Sequence, residues 1–97
     1  MNVLLIEDDD SFRTTLAMAL KRRGCEVSEA ANAREALRQT QAMQAQGIVL
    51  DMRLGRDNGI DLIVQLKHDL PEARLIVLTG YGSIPSAMGS VRVIVKT

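Results

Sequence analysis

Four short apolar runs constrain the fold of this chain more than any other feature of its sequence. They lie at residues 3–6, 48–50, 75–78 and 93–95, and they are rich in leucine and β-branched residues. Runs this short predict strands rather than helices. Their apolarity is continuous instead of alternating, which indicates burial on both faces. Such strands are typical of a parallel sheet that helices cover on both sides.

Amphipathic helical patterns separate these apolar runs. The first predicted helix stops at Gly24, a residue that suits the position just past a helix end. Asn32 and Glu35 stand three residues apart and resemble a capping box, which predicts a second helix that runs to about Met43. The predicted apolar face of the first helix carries Phe12, Leu16, Ala19 and Leu20, and that of the second carries Ala33, Ala36, Leu37 and Thr40.

Two further helices are predicted after the third and fourth strands. Asn58 can cap the third helix, and Pro71 marks its end. Ser83 can cap a fourth helix, with Pro85 in its first turn. With a short strand at residues 27–30, strands and helices alternate along the chain. This order predicts an α/β fold with right-handed crossovers and a doubly wound parallel sheet. The third helix should turn inward Ile60, Ile63, Leu66 and Leu70.

Composition and charge exclude several classes of function. The 97 residues, 46% of them hydrophobic, suffice for one compact domain, which we place at residues 1–97. Twelve basic residues balance twelve acidic ones, so we expect no direct nucleic acid binding and no attraction to an anionic membrane. The start carries neither a basic region nor a long apolar stretch, and Cys25 has no second cysteine to pair with. These features predict a cytoplasmic protein without a membrane span.

Polar and charged residues follow the apolar runs at the points where the strands should end. Because the carboxyl ends of parallel strands meet at one edge of the sheet, we expect one site there. Crowded carboxylates raise one another's pKa unless a cation joins them, and oxygen ligands in an open cleft suit Mg²⁺. A carboxylate with a hydroxyl and an ammonium group nearby can act as nucleophile in phosphoryl transfer. The residues concerned are Glu7, Asp8, Asp9 and Asp10 after the first strand, Asp51 after the third, Thr79 after the fourth and Lys96 after the fifth.

Five segments resemble the receiver domains of bacterial response regulators. They are VLLIEDD near the start, IVLDMRL and DNGIDLI in the middle, LIVLTGYGS later and VIVK near the end. The resemblance covers nearly the whole chain and implies a flavodoxin-like, five-stranded parallel sheet in the order 2-1-3-4-5. The TGYGSI stretch is also similar to regulators of photosynthetic or redox gene expression, in which a receiver precedes a DNA-binding domain.

The resemblance also assigns roles to the residues at the strand ends. It implies that Asp51 accepts a phosphoryl group from a sensor histidine kinase. It further implies that Asp8 binds Mg²⁺ directly, that Glu7 acts through water, and that Arg53 offers its main-chain carbonyl to the metal. A protein of this kind switches a partner-binding surface and is not a turnover enzyme. The hydroxyl that moves to the phosphoryl group in the switch and the lysine that pairs with that group correspond to Thr79 and Lys96.

Two features depart from the family pattern. The stretch between Thr79 and Lys96 is shorter than in receivers that resemble this chain, which predicts a short or frayed fourth helix and could keep Lys96 from the site. The family lysine is usually followed by proline and a fifth helix, whereas the sequence ends at Thr97. We therefore expect one face of the sheet to lack a cover. The isolated chain would then be marginally stable, form a homodimer through that face, or be a fragment of a longer regulator.

Three other functions stay open on the sequence. Asp8 and Asp10 also fit the Asp-x-Asp motif of haloacid-dehalogenase-like phosphatases, although the Gly-Thr that should follow is missing. A flavodoxin-like nucleotide or flavin domain shares the fold class, but acids stand where a phosphate cradle needs amides. A degenerate receiver would keep Asp51 and no longer switch. Simpler roles are also expected: Asp9 and Asp10 cap the first helix, and His68 lies on the surface.

Overall fold

The predicted strands form one parallel sheet in the computed structural model of the chain, which describes residues 1–51, 59–79 and 92–95. They follow the order β2-β1-β3-β4-β5, and every neighbouring pair is parallel. The doubly wound α/β fold with the strand order 2-1-3-4-5 is therefore confirmed. The strands are β1 (Asn2–Glu7), β2 (Glu26–Ala30), β3 (Gly47–Asp51), β4 (Arg74–Thr79) and β5 (Arg92–Val95).

The helices in the described part of the chain are α1 (Asp10–Arg22), α2 (Ala33–Ala42) and α3 (Gly59–Asp69). Both predicted ends of α2 are confirmed, since Asn32 is its N-cap and Met43 its C-cap. Pro71 lies just past the end of α3, as predicted. The predicted cap Asn58 and the fourth helix predicted from Ser83 lie outside the described residues. None of the described helices has the length and apolarity needed to cross a membrane.

Side-chain oxygens cap the first turns of α1 and α2, where free amides need acceptors. Asp9 Oδ1 accepts a hydrogen bond from the Phe12 amide at 2.9 Å. Asn32 Oδ1 accepts one from the Glu35 amide at 2.9 Å. Glu35 Oε1 in turn accepts from the amide of Ala31, one residue before the cap, at 3.4 Å. The capping role of Asp9 and the reciprocal capping pattern at α2 are therefore confirmed.

α1 ends in a left-handed turn that glycine adopts without strain. Gly24 has a φ of 89°. Its amide donates to the carbonyl of Lys21 at 3.0 Å, and the amide of Cys25 donates to the carbonyl of Leu20 at 3.2 Å. These two bonds form a Schellman motif, which satisfies the last carbonyls of the helix and directs the chain into β2.

The largest cluster of buried side chains joins the sheet to α2 and α3. Burial of this apolar surface holds the two helices against the sheet and so fixes the positions of the strand ends. The predicted inner stripes are confirmed where the structure describes them, at Ala36 and Thr40 of α2 and at Ile63 and Leu66 of α3. The members of the cluster are Leu4, Ile6, Ala30, Ala36, Ala45, Ile48, Leu50, Leu62, Ile63, Leu66, Leu70, Ala73, Leu75 and Val77.

α1 packs Leu16 and Leu20 towards the sheet, as predicted, but Arg13 and Ala17 lie beside them in place of Phe12 and Ala19. Ala19 is exposed and Phe12 is 40% exposed, whereas Ala17 is buried. The prediction was wrong at Ala19 because alanine fits either face of a helix, and because the aliphatic stem of an arginine can take an apolar position. The residues that pack towards the sheet follow the regular spacing of one helical face, and they are Arg13, Leu16, Ala17 and Leu20.

The two faces of the sheet differ in how completely the described residues cover them. Leu50 and Val77, on the face of α2 and α3, are 0% and 1% exposed. The side chains that alternate with them, Val49, Ile76 and Leu78, are only partly buried. Val49 and Ile76 are register partners in the β3–β4 ladder. Within the described residues, therefore, the second face is less completely covered at β3 and β4.

Candidate functional site

Two buried carboxyl groups face each other at the carboxyl ends of β1 and β3. The ladder between these strands pairs Val3 with Gly47 and runs in register to its last pair, Glu7 with Asp51. Each of these two acids is only 3% exposed. We call them the carboxylate pair. Acidic residues are rarely buried so completely without a specific partner, so their placement at the end of two apolar strands points to a function.

Burial keeps the Glu7 carboxyl protonated near neutral pH. The pKa of Glu7 is raised from 4.5 to about 8, and loss of hydration is the largest cause, with a further contribution from the neighbouring carboxyl of Asp51. The amide of Asp9, which donates to Glu7 Oε1 at 2.9 Å, opposes this rise. The buried Oε2 atom of Glu7 has no N–H donor among the described residues. A cation bound between the two carboxylates would remove this cost of ionisation.

The three acids that follow Glu7 have different surroundings. Asp8 is exposed, and its carboxyl lies close enough to Glu7 to add slightly to the rise of the Glu7 pKa. Asp9 caps α1. Asp10 lies in the first turn of α1 with its side chain 85% exposed. Of these three acids, Asp8 is the one beside the carboxylate pair. Asp9 caps α1, as predicted, whereas the capping role predicted for Asp10 is wrong, because Asp10 is already inside the helix and pairs with Arg13.

The other predicted site residues are described only in part. Thr79 is the last residue of β4, and its register partner in β5 is Val95. Because all five strands are parallel, this strand end lies at the same edge of the sheet as the carboxylate pair. Lys96, which follows Val95, lies outside the described residues, and so do Arg53 and the shortened stretch after Thr79.

Arg13 is a residue of this edge for which the sequence predicted no role. Its side chain is 17% exposed, and its guanidinium contacts three neighbouring groups. Nη1 donates to the main-chain carbonyl of Glu7 at 2.9 Å. Nη2 lies 2.8 Å from Asp10 Oδ1, and Nε lies 3.3 Å from Glu29 Oε1. The hydrogen bond to Asp10 raises the pKa of Arg13. The available signal was an arginine three residues after an acid, on the inward face of α1.

The donor set fits a hard divalent cation. Mg²⁺ prefers carboxylate and carbonyl oxygens, and it usually keeps several waters and shares itself with a phosphate. The carboxylate pair and the neighbouring Asp8 supply such oxygens at one edge of the sheet. Within the part of the chain that the structure describes, no group of three or more His, Cys, Asp and Glu side chains is arranged to hold a metal ion. The described side chains of Glu7, Asp8 and Asp51 therefore do not by themselves form a three-ligand metal site.

His68 is the single histidine of the sequence and takes the predicted surface position. Its side chain is 82% exposed, and Nδ1 lies 3.4 Å from Asp69 Oδ1. The same Asp69 side chain accepts a hydrogen bond from Thr40 Oγ1 at 3.2 Å, which links α3 to α2. His68 is therefore a surface residue, and its neighbour Asp69 links α3 to α2.

Known proteins resemble this chain over nearly its whole length. The family model of the response regulator receiver domain matches residues 3–95. The photosynthetic apparatus regulatory protein RegA of Rhodobacter capsulatus is 40% identical over 93 residues, which are 94% of this chain and 50% of that protein. The acid tolerance regulatory protein ActR of Sinorhizobium medicae is 34% identical over 91 residues, which are 94% of this chain and 47% of that protein. The chain spans about half the length of these curated relatives.

A solved structure gives the same picture. It is a response regulator from Burkholderia pseudomallei with a phosphorylated aspartic acid, a calcium ion and citrate. The two structures superpose with a TM-score of 0.84 at 40% identity, over 95% of this chain and 58% of that one. The resemblance to receiver domains and to regulators of photosynthesis, predicted from the sequence, is confirmed by these matches.

Proposed function

Because the chain belongs to the response regulator receiver domain family, we propose that it is a phosphorylation switch in which Asp51 accepts a phosphoryl group from a sensor histidine kinase. The observation that carries the proposal is the buried pair of Glu7 and Asp51 at the last rung of the β1–β3 ladder. Asp51 lies at the edge of the apolar core next to the carboxyl of Glu7. This position suits a carboxylate nucleophile that reacts next to a bound cation.

The transfer step forms an acyl phosphate on Asp51. An oxygen of the Asp51 carboxylate attacks the phosphorus of a phosphohistidine on the kinase. The new P–O bond forms as the P–N bond breaks, and the imidazole leaves with the electron pair of that bond and takes up a proton. The rigid β3 strand holds the attacking oxygen at the sheet edge, which lowers the entropic cost of the reaction.

A divalent cation at this edge would neutralise charge on the carboxylates and on the transferred group. We assign Mg²⁺ to the site, with Asp8 and Asp51 as direct ligands, Glu7 acting through water and Arg53 offering its main-chain carbonyl. The rise of the Glu7 pKa to about 8 supports this assignment, because a cation beside Glu7 would offset the burial that disfavours its ionised form. The calcium ion in the related structure from Burkholderia pseudomallei shows a divalent cation in a receiver of that family.

Thr79 and Lys96 complete the proposed switch. Thr79 would move its hydroxyl towards the phosphoryl group, and Lys96 would pair with that group. The two phosphorylation states would then differ in the surface that a partner binds, and phosphorylation would shift the populations of pre-existing conformations. A degenerate receiver, which is phosphorylated on Asp51 but does not switch, is the alternative that the shortened stretch between Thr79 and Lys96 favours.

We propose no turnover activity for the chain. In the phosphatase alternative Asp10 would work beside Asp8 as part of the catalytic motif. Asp10 instead lies in the first turn of α1, 85% exposed and paired with Arg13. That arrangement favours a role in the helix over catalysis.

A homodimer through the less covered face of the sheet is a further part of the proposal. The partly buried Val49 and Ile76 lie side by side on that face and would gain from burial in an interface. Sedimentation velocity at increasing protein concentration tests it, and a single monomeric species throughout would contradict it.

Beryllofluoride, which stands in for the phosphoryl group of an acyl phosphate, tests the proposed site without a kinase. Thermal unfolding should shift to higher temperature with MgCl₂ and beryllofluoride together, by more than with MgCl₂ alone, and beryllofluoride without MgCl₂ should cause no shift. Asp51→Asn should abolish the combined effect, whereas Asp10→Asn should keep it. A combined shift that survives Asp51→Asn would contradict the assignment of the phosphoacceptor.

A further inference from the structure

Arg13 holds the chain on both sides of the acidic segment that follows β1. Its main-chain amide donates to the carbonyl of Asp9 at 2.8 Å, and its guanidinium Nη1 donates to the carbonyl of Glu7 at 2.9 Å. The three residues from Glu7 to Asp9 are thus tied at both ends to one residue of α1. Asp8 is the residue between the two tied carbonyls.

The guanidinium also has its own orientation fixed. Nη2 lies 2.8 Å from Asp10 Oδ1 and Nε lies 3.3 Å from Glu29 Oε1, so three acceptors on β1, α1 and β2 constrain one planar group. Its side chain is 17% exposed, in contrast to the 85% exposed side chain of Asp10. A planar fork of fixed N–H donors meets several acceptors at once, which a lysine ammonium on a flexible stem does not reproduce.

Two effects of Arg13 on a cation at the carboxylate pair oppose each other. Its positive charge repels a cation, so on charge alone the loss of Arg13 would tighten binding. Its hydrogen bond to the Glu7 carbonyl fixes the main chain from which the Glu7 and Asp8 carboxyls project, so on geometry the loss would weaken binding. The sign of the change in affinity therefore separates the two roles.

We infer that Arg13 is a positioning residue of the divalent cation site. It orients Glu7 and Asp8 through the main chain, and the resulting gain in cation affinity exceeds the loss that its own positive charge causes. This inference rests on the proposed function of the carboxylate pair. Arg13 of α1 would then affect cation binding without being a ligand. The geometry of the site would depend on how α1 packs against β1 and β2.

The test measures the affinity of the full chain for Mn²⁺ near neutral pH, from the electron paramagnetic resonance signal of the free ion, with Mg²⁺ competition. Arg13→Met removes the charge and the fork but keeps an apolar stem. Arg13→Lys keeps the charge and loses the fork. Arg22→Met, in the last turn of the same helix, removes an equal charge from an exposed position and serves as the matched control.

Arg13→Met should weaken Mn²⁺ binding by about tenfold or more, the usual effect of removing a group that orients a metal ligand. Arg13→Lys should weaken it in the same direction, and Arg22→Met should leave it unchanged to within about twofold because exposed distant charges are screened. Mn²⁺ should also broaden the amide resonances of residues 7–10 and 51 in the wild type. In Arg13→Lys, that broadening should be weaker at residues 7–9 than at residue 51.

The inference would be overturned if Arg13→Met bound Mn²⁺ as tightly as the wild type or more tightly while Arg13→Lys bound it unchanged. Any effect of Arg13 on Mn²⁺ affinity would then come from its charge alone. Far-ultraviolet circular dichroism confirms that each variant is folded at the temperature of the titration, and Arg13→Lys alone decides the question if Arg13→Met does not fold.

No Mn²⁺ binding by the wild type would overturn the proposed function itself. Binding that is lost in Asp51→Asn but unaffected in both Arg13 variants would overturn only the role of Arg13.

Discussion

Glu7 and Asp51 are register partners at the last rung of the β1–β3 ladder, and Asp51 lies close enough to raise the pKa of Glu7. Both groups are 3% exposed, and the pKa of Glu7 is raised to about 8, first by burial and then by the neighbouring Asp51. A proton therefore occupies this pair near neutral pH when no cation does. A cation bound at the proposed site would displace that proton, because its ligands must be ionised.

The stability of the cation-free chain should fall as the pH rises from about 4.5 to about 8, as far as Glu7 contributes. Over this range the folded state holds a proton on Glu7 that the unfolded state has released, so the free energy of unfolding decreases with pH. Urea unfolding in the presence of a chelator, over a series of pH values, measures this slope. Saturating MgCl₂ should flatten or reverse it, and a chelated chain whose stability rises over the same range relative to Glu7→Gln would contradict it.

Glu7→Gln should stabilise the cation-free chain and weaken the cation site. At a pH above about 8 the substitution removes a buried charge next to Asp51, which should raise the free energy of unfolding by on the order of 1 to 3 kcal/mol. The same variant should lose about tenfold or more in divalent cation affinity. Chemical unfolding and Mg²⁺ titration calorimetry measure the two effects, with Glu26→Gln, an exposed acid of β2, as the control. Unaltered stability together with unaltered affinity would show that Glu7 is not part of the site.

Asp9 stabilises α1 rather than the phosphorylation site. Asp9→Ala removes the acceptor of the Phe12 amide and should cost about 1 kcal/mol, whereas Asp9→Asn keeps a good cap and should cost less. The midpoints of urea unfolding, compared at an unchanged m-value, measure the difference in the free energy of unfolding between the two variants. Because the hydrogen bond to Glu7 Oε1 comes from the main-chain amide of Asp9, both variants should still be phosphorylated. Loss of phosphorylation in a folded Asp9→Ala chain would contradict this separation of roles.

Position 24 requires glycine because of its backbone conformation, and not because a side chain would lack space. Its φ is 89°, and a Cβ built at this position meets nothing within 4 Å. Gly24→Ala should therefore cost about 1 to 2 kcal/mol through strain alone, and Gly24→Asn should cost less because asparagine tolerates the left-handed region. Thermal and urea unfolding measure both. Equal stability of Gly24→Ala and the wild type would mean that the turn at the end of α1 has another conformation.

Local signals in the sequence predicted most of the fold. The four continuous apolar runs located β1, β3, β4 and β5, and the short strand predicted at residues 27–30 corresponds to β2. The observed strands extend by one residue or so beyond the predicted bounds, as at β1 and β3. Asn32 and Gly24 located helix ends because capping depends on side chains and backbone within a few residues. The strand order followed from the family resemblance and not from the runs themselves.

Contacts between distant segments were harder to predict. Ala17 and Ala19 are chemically equal, so only the docking of α1 decided which of them is buried. The role of Arg13 depends on Glu7, Asp10 and Glu29, which lie on three different elements. The sequence placed Glu7 among the site residues, but its burial against Asp51 follows from the register of β1 and β3, which the apolar pattern alone does not fix.

Intact-mass spectrometry of the chain after incubation with acetyl phosphate and MgCl₂ measures the phosphorylation proposed for Asp51. A single phosphoryl group should be added, should require Mg²⁺ and map to Asp51, and should be absent from Asp51→Asn and present in Asp10→Asn. A phosphoryl adduct of undiminished yield in Asp51→Asn, or one that depends on Asp10 instead, would contradict that proposal.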